Sequence, residues 1–112
     1  MAVYVKNIII PAGDDFDETF TVTQYDDGSY LNLNGYSAKS YLKKHPSSLN
    51  VTASFEVSFP DRDNGDLMIS LGSTITSSIR PGRYSYDVVI DNGSKKKRIV
   101  EGSAIVTAGV TT

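Results

Sequence analysis

The chain has 112 residues, 39% hydrophobic and 21% charged, with no cysteine and a formal net charge of −2 from 11 basic and 13 acidic side chains. That length suits one domain, residues 1–112, able to bury roughly two-thirds of its unfolded surface without a staple, and the apolar content is too high for a disordered chain. The lack of cysteine excludes disulfides, thiolate metal sites and cysteine nucleophiles, while the near-balanced charge offers no field to attract nucleic acid or an anionic membrane, so neither is expected as a partner.

No apolar run approaches the roughly 18 residues of a membrane span, and Met1-Ala2-Val3-Tyr4-Val5 lacks the charge-then-apolar order of a signal peptide. The expectation is a soluble protein made in a cytoplasm. Residues 3–10 are rich in β-branched side chains and end at Pro11-Ala12-Gly13-Asp14, which predicts a first strand closed by a turn. Residues 15–24 alternate, with Phe16, Phe20 and Val22 on the face expected to enter the core. Asp26-Asp27-Gly28-Ser29 predicts a turn. Residues 36–44 follow as a strand with Tyr36, Ala38, Ser40 and Leu42 inward and Ser37, Lys39, Tyr41 and Lys43 outward.

His45-Pro46-Ser47-Ser48 breaks the run, and residues 51–59 resume with Val51, Ala53, Phe55, Val57 and Phe59 at period two. Asp61-Arg62-Asp63-Asn64-Gly65-Asp66 predicts a hairpin connection to a strand whose apolar face is Leu67, Ile69 and Leu71. The three-to-four spacing of Ile75 and Ile79 predicts one helical turn over residues 73–79, carrying the chain between two sheets. Pro81-Gly82 then turns into a strand with Tyr84, Tyr86, Val88 and Ile90 on one face. That spacing matches the tyrosine corner of immunoglobulin-like domains, with Tyr86 where antibody domains carry cysteine. Asn92-Gly93 predicts a tight hairpin into residues 97–107, and Gly102 suggests a bulge there.

Seven or eight strands with turn signals every eight to twelve residues define an all-β, immunoglobulin-like antiparallel β-sandwich. Its fold-defining corner is Pro81, Gly82, Tyr84 and Tyr86. The expected core is Phe16, Phe20, Val22, Val51, Phe55, Val57, Leu67, Ile69, Leu71, Tyr84, Tyr86, Val88, Ile90 and Val106.

Catalytic chemistry is hard to assemble from these residues, and no enzyme is expected. The one histidine, His45, sits in a loop with no motif pairing it to a nucleophile, and one imidazole without thiolates does not make a zinc site. Asp61 to Asp66 only partly matches a calcium loop, because its glycine falls a position early and no glutamate follows at the right distance. Turn formation accounts for that cluster and for Asp14-Asp15-Phe16-Asp17-Glu18. A paired-carboxylate glycosidase needs a longer cleft than a sandwich this small supplies. No metal or cofactor is expected. Lys95-Lys96-Lys97-Arg98 reads as a solvated hairpin edge. The seven tyrosines are spread over many segments, so a glycan platform is an alternative rather than the main expectation.

The layout Ile8-Ile9-Ile10, Gly13-Asp14-Asp15-Phe16, Leu33-Asn34-Gly35-Tyr36, Lys44-His45-Pro46, Asn64-Gly65-Asp66-Leu67 and Pro81-Gly82-Arg83-Tyr84-Ser85-Tyr86-Asp87, leading to Val100-Glu101-Gly102 and Val110-Thr111, resembles small virion structural proteins of tailed phages, especially those of cyanobacteria. It is also similar to the N-terminal module of phage baseplate upper proteins. The resemblance implies a non-enzymatic role in a symmetric particle, with other capsid or tail subunits, and further copies of the chain, as partners. Baseplate upper proteins continue into a stalk and head whereas this chain ends at Thr112, which suits a capsid decoration or cement protein. The alternatives are a neck, tail, baseplate or fibre-attachment module, and a carbohydrate-binding host-recognition domain. The expected interface is the first strand, through Val3, Tyr4, Val5, Ile8 and Ile10.

Overall fold

The computed structural model describes residues 4–22 and 31–109. The turn expected at 26–29 and the interface candidate Val3 lie outside the described residues. The elements are β1 (Tyr4–Val5), β2 (Ile8–Pro11), β3 (Phe16–Thr21), β4 (Ser37–Lys43), β5 (Ala53–Asp61), β6 (Asp66–Leu71), a helical turn α1 (Ser73–Ser77), β7 (Gly82–Asp91) and β8 (Lys96–Thr107).

Two layers face each other. The larger holds β1 and β2 at one edge, then β8, β7 and β4; the smaller holds β6 and β3. Strand β5 belongs to both, because Ala53, Ser54 and Phe55 pair with β4 whereas Glu56, Val57, Ser58 and Asp61 pair with β6. One side of the sandwich is therefore hemmed by a continuous strand. On the other side the β1/β2 and β3 edges are linked by an ion pair between Lys6 and Glu18. Neighbouring strands run antiparallel except β1 and β2, which run parallel to β8. The architecture is an all-β, immunoglobulin-like sandwich, mixed rather than antiparallel throughout as expected, because the N-terminal edge runs alongside β8 in the same direction.

The expected alternation holds in β6 and β7. In β7 Tyr84, Tyr86, Val88 and Ile90 are buried, and in β6 Leu67, Ile69 and Leu71. Phe16, Phe55 and Tyr86 form an aromatic row through the interior, with ring centroids 6.1 and 6.2 Å apart and tilted or edge-on planes, the arrangement that ring quadrupoles favour. Val51 departs from expectation: it is 41% exposed. The strand begins only at Ala53, so Val51 belongs to the connecting loop and the period-two pattern overran the ladder by two residues.

At the corner, the Tyr84 hydroxyl donates to Arg80 O at 2.6 Å across the turn containing Pro81 and Gly82. The Lys44 ammonium stands 4.8 Å from the centre of the Tyr84 ring. Tyr84→Phe keeps the ring and removes only the hydroxyl. It is expected to cost about 1 kcal/mol with the fold intact, measured as a lower melting temperature with unchanged circular dichroism.

The helical turn α1 crosses from β6 to β7, as its isoleucine spacing predicts. No side chain of its own caps it. Instead Asp15 Oδ1 accepts from Ser73 N at 2.8 Å, and the fully buried Thr76 hydroxyl donates to Asp14 O at 2.7 Å while accepting from Gly13 N at 3.0 Å. The first acidic cluster thus pins the β2–β3 turn to the crossover.

The β8 irregularity lies elsewhere than expected. Registry with β7 shifts between Val88 and Val89, leaving Ile99 as the extra residue, so that Ile99 and Val100 are both buried. Gly102 stays in register opposite Tyr86.

Candidate interaction surfaces

The N-terminal edge divides into β1 and β2 because residues 6 and 7 leave the ladder without losing its count. Lys6 N still donates to Glu101 O at 2.9 Å. Its carbonyl, however, turns inward and accepts the Tyr86 hydroxyl at 2.6 Å, while Asn7 Oδ1 replaces a backbone oxygen for Ser103 N at 3.0 Å. This inward step fits only over a residue without a side chain: a Cβ on Gly102 would overlap the Lys6 carbonyl oxygen and stand 2.7 Å from its carbon. The Tyr86 hydroxyl is pushed up to about 12, by burial first and by the negative charge of Glu18 second, so it remains a donor through the neutral range.

This geometry corrects the expected interface. Ile8 and Ile10 point into the core and are buried, because β2 is the outermost strand of the larger layer and seals its interior. The exposed apolar side chains of this edge, among those described, are Val5, at 76%, and Ile9, at 62%. Ile9 pairs with Ile105, itself 43% exposed, so with Val5 this edge carries an apolar strip on the outside of the larger sheet, interrupted by Asn7 and Ser103 between the Val5 and Ile9 positions. Tyr4 takes part through its backbone, opposite Val100.

Beside this strip lies a shallow groove of about 570 Å³ over β4, β7 and β8, bordered by Val5, Tyr41, Lys43, Asp87, Arg98 and Glu101. Its floor is a cross-strand row, Tyr41–Asp87–Glu101–Val5. Arg98 Nε donates to Asp87 Oδ2 at 3.1 Å. Lysines 95–97 and Arg98 are exposed, and residues 96–98 extend beyond the pairing with β1. Tyr84 and Tyr86 are buried and Tyr36 packs on the core, which leaves Tyr41 as the outward tyrosine among those whose side chains are described.

The remaining sequence candidates are absorbed by local structure. His45 is exposed, and its backbone closes a turn with Ser48. In the second acidic cluster Asp61 accepts from Asn64, Asp63 from Asn34 and Asp66 from Thr21, at 2.6 to 2.8 Å. Arg62 was missed as a key residue. Its Nη1 donates to Leu33 O at 2.9 Å and Tyr36 O at 2.8 Å, and its guanidinium lies 3.8 Å from the centre of the Phe59 ring. It clamps the stretch leading into β4 onto the β5–β6 turn.

What the fold and its surfaces define is a small immunoglobulin-like sandwich with broad outer faces. No protein-family model and no curated protein matches the sequence. Among solved structures the chain is similar to the N-terminal domain of ORF48 of phage TP901-1, with a TM-score of 0.54 and 14% identity over 95% of this chain and 98% of that one. Looser likenesses are to InlP of Listeria monocytogenes, TM-score 0.44, 13% identity, 93% of this chain and 26% of that one, and to a family 123 glycoside hydrolase of Clostridium perfringens, TM-score 0.44, 15% identity, 97% of this chain and 24% of that one.

Proposed function

We propose that the protein is a virion structural module of a tailed phage, acting by docking onto other virion subunits rather than by turnover. The observation that carries this reading is the two-way, nearly complete correspondence with a phage domain, 95% of this chain and 98% of the other. The resemblance of its motifs to the N-terminal modules of baseplate upper proteins supports the same class. That resemblance is the reason an attachment module of the neck, tail or baseplate is preferred here to a capsid decoration protein. The exposed Val5–Ile9–Ile105 strip supplies apolar area for such docking.

The test is copy number, by quantitative mass spectrometry of purified virions and of separated heads and tails. Tens of copies in the tail fraction are expected. Hundreds in the head fraction would replace this placement with capsid decoration, and absence from both would overturn the virion reading.

A further inference from the structure

The net charge of −2 conceals a strong segregation between the two outer faces. On the smaller sheet the outward rows across β3, β6 and β5 are Asp17–Ser70–Glu56, Thr19–Met68–Ser58 and Thr21–Asp66–Asp61. These rows contain no lysine or arginine, and a half-buried methionine stands at their centre. On the larger sheet the outward positions include Lys39, Lys43, Arg83, Lys96 and Arg98 against the three carboxylates Asp87, Asp91 and Glu101. Lys39 and Lys43 on one face, and Asp17 and Glu56 on the other, make no ion pair among the described residues.

We propose that the protein self-associates head to tail, the groove-bearing basic face of one copy receiving the acidic, methionine-centred face of the next. Charge complementarity selects the second copy as occupant and selects the mode. Two basic faces, or two acidic faces, placed together repel, so a two-fold contact of a face with itself is disfavoured. Using two different faces makes the contact heterologous, which propagates into rings or stacks instead of stopping at a dimer. The inference rests on the charge segregation and not on placement in a virion.

Sedimentation velocity tests it with the wild type and two surface variants, Lys39→Gln/Lys43→Gln and Asp17→Asn/Glu56→Gln, whose melting curves verify folding. Wild type is expected to form species larger than dimers at low ionic strength and to disperse at about 1 M salt, where the Debye length falls to about 3 Å. Each variant alone is expected to be monomeric, and an equimolar mixture to form a one-to-one dimer that grows no further, because each supplies the face the other lacks. Monomeric wild type at low salt overturns the proposal without touching the copy-number test of virion placement. Dimers of either variant alone also overturn it, since the contact would then not need both faces. So does a mixture that stays monomeric.

Discussion

Gly102→Ala is expected to detach the N-terminal edge from the sandwich and to cost about 3 kcal/mol or more, through overpacking against backbone together with lost burial. The added methyl would collide with the Lys6 carbonyl, which is rigid main chain and not a side chain able to swing aside. Lys6 cannot retreat without giving up the Tyr86 hydroxyl bond, and Asn7 cannot retreat without releasing Ser103 N. Movement of the edge also uncovers Ile8 and Ile10. Thermal unfolding measures the loss, and amide exchange across residues 4–11 locates it. A variant that melts like the wild type with a protected N-terminal edge would show that the close approach does not exist in solution.

That glycine shows where sequence reasoning stops. A glycine inside a strand pattern signals either a bulge or a close backbone approach, and local sequence does not separate the two. The bulge falls three residues earlier at Ile99, where two consecutive buried side chains, Ile99 and Val100, break the alternation. In a strand so rich in apolar residues the break has no distinctive spelling. The same ambiguity affects Ile8-Ile9-Ile10: three identical residues carry no alternation, so only pairing with β8 reveals that Ile9 alone faces water. By contrast Tyr84-Ser85-Tyr86-Asp87-Val88 spells its inward face directly, and the Pro81-Gly82 turn supplies the direction from which the tyrosine corner closes.

The surfaces were less legible than the core for a related reason. Charge segregation depends on cross-strand registry, and residues far apart in sequence, such as Asp17 and Glu56, become near neighbours only through their common partner Ser70. A whole-chain count cancels them against Lys39 and Lys43 on the opposite side. Arg62 escaped notice because it sits among carboxylates and reads as a turn charge, whereas its guanidinium is spent on two carbonyls from another segment.

Gly65→Ala is expected to be the second severe substitution, and its comparison with Gly35→Ala separates two causes. Both glycines have left-handed backbone, with φ of +77° at Gly65 and +85° at Gly35, a conformation costing an alanine roughly 1–2 kcal/mol. At Gly35 nothing lies within 4 Å of the added Cβ, so Gly35→Ala should lose only that amount. At Gly65 the Cβ would stand 2.5 Å from Val22 O and 2.8 Å from Leu31 O. Val22 N donates to Gly65 O at 2.8 Å, and Leu31 N to Val22 O at 2.9 Å, so relieving the clash pulls apart the join between the end of β3 and the β5–β6 turn. The added overpacking of about 1–3 kcal/mol should bring Gly65→Ala to a total near 3 kcal/mol or above. Denaturant titration of the two variants side by side measures the difference. Equal losses would mean that left-handed backbone alone accounts for Gly65 and that the packing of residues 22 and 31 over the turn contributes nothing to stability.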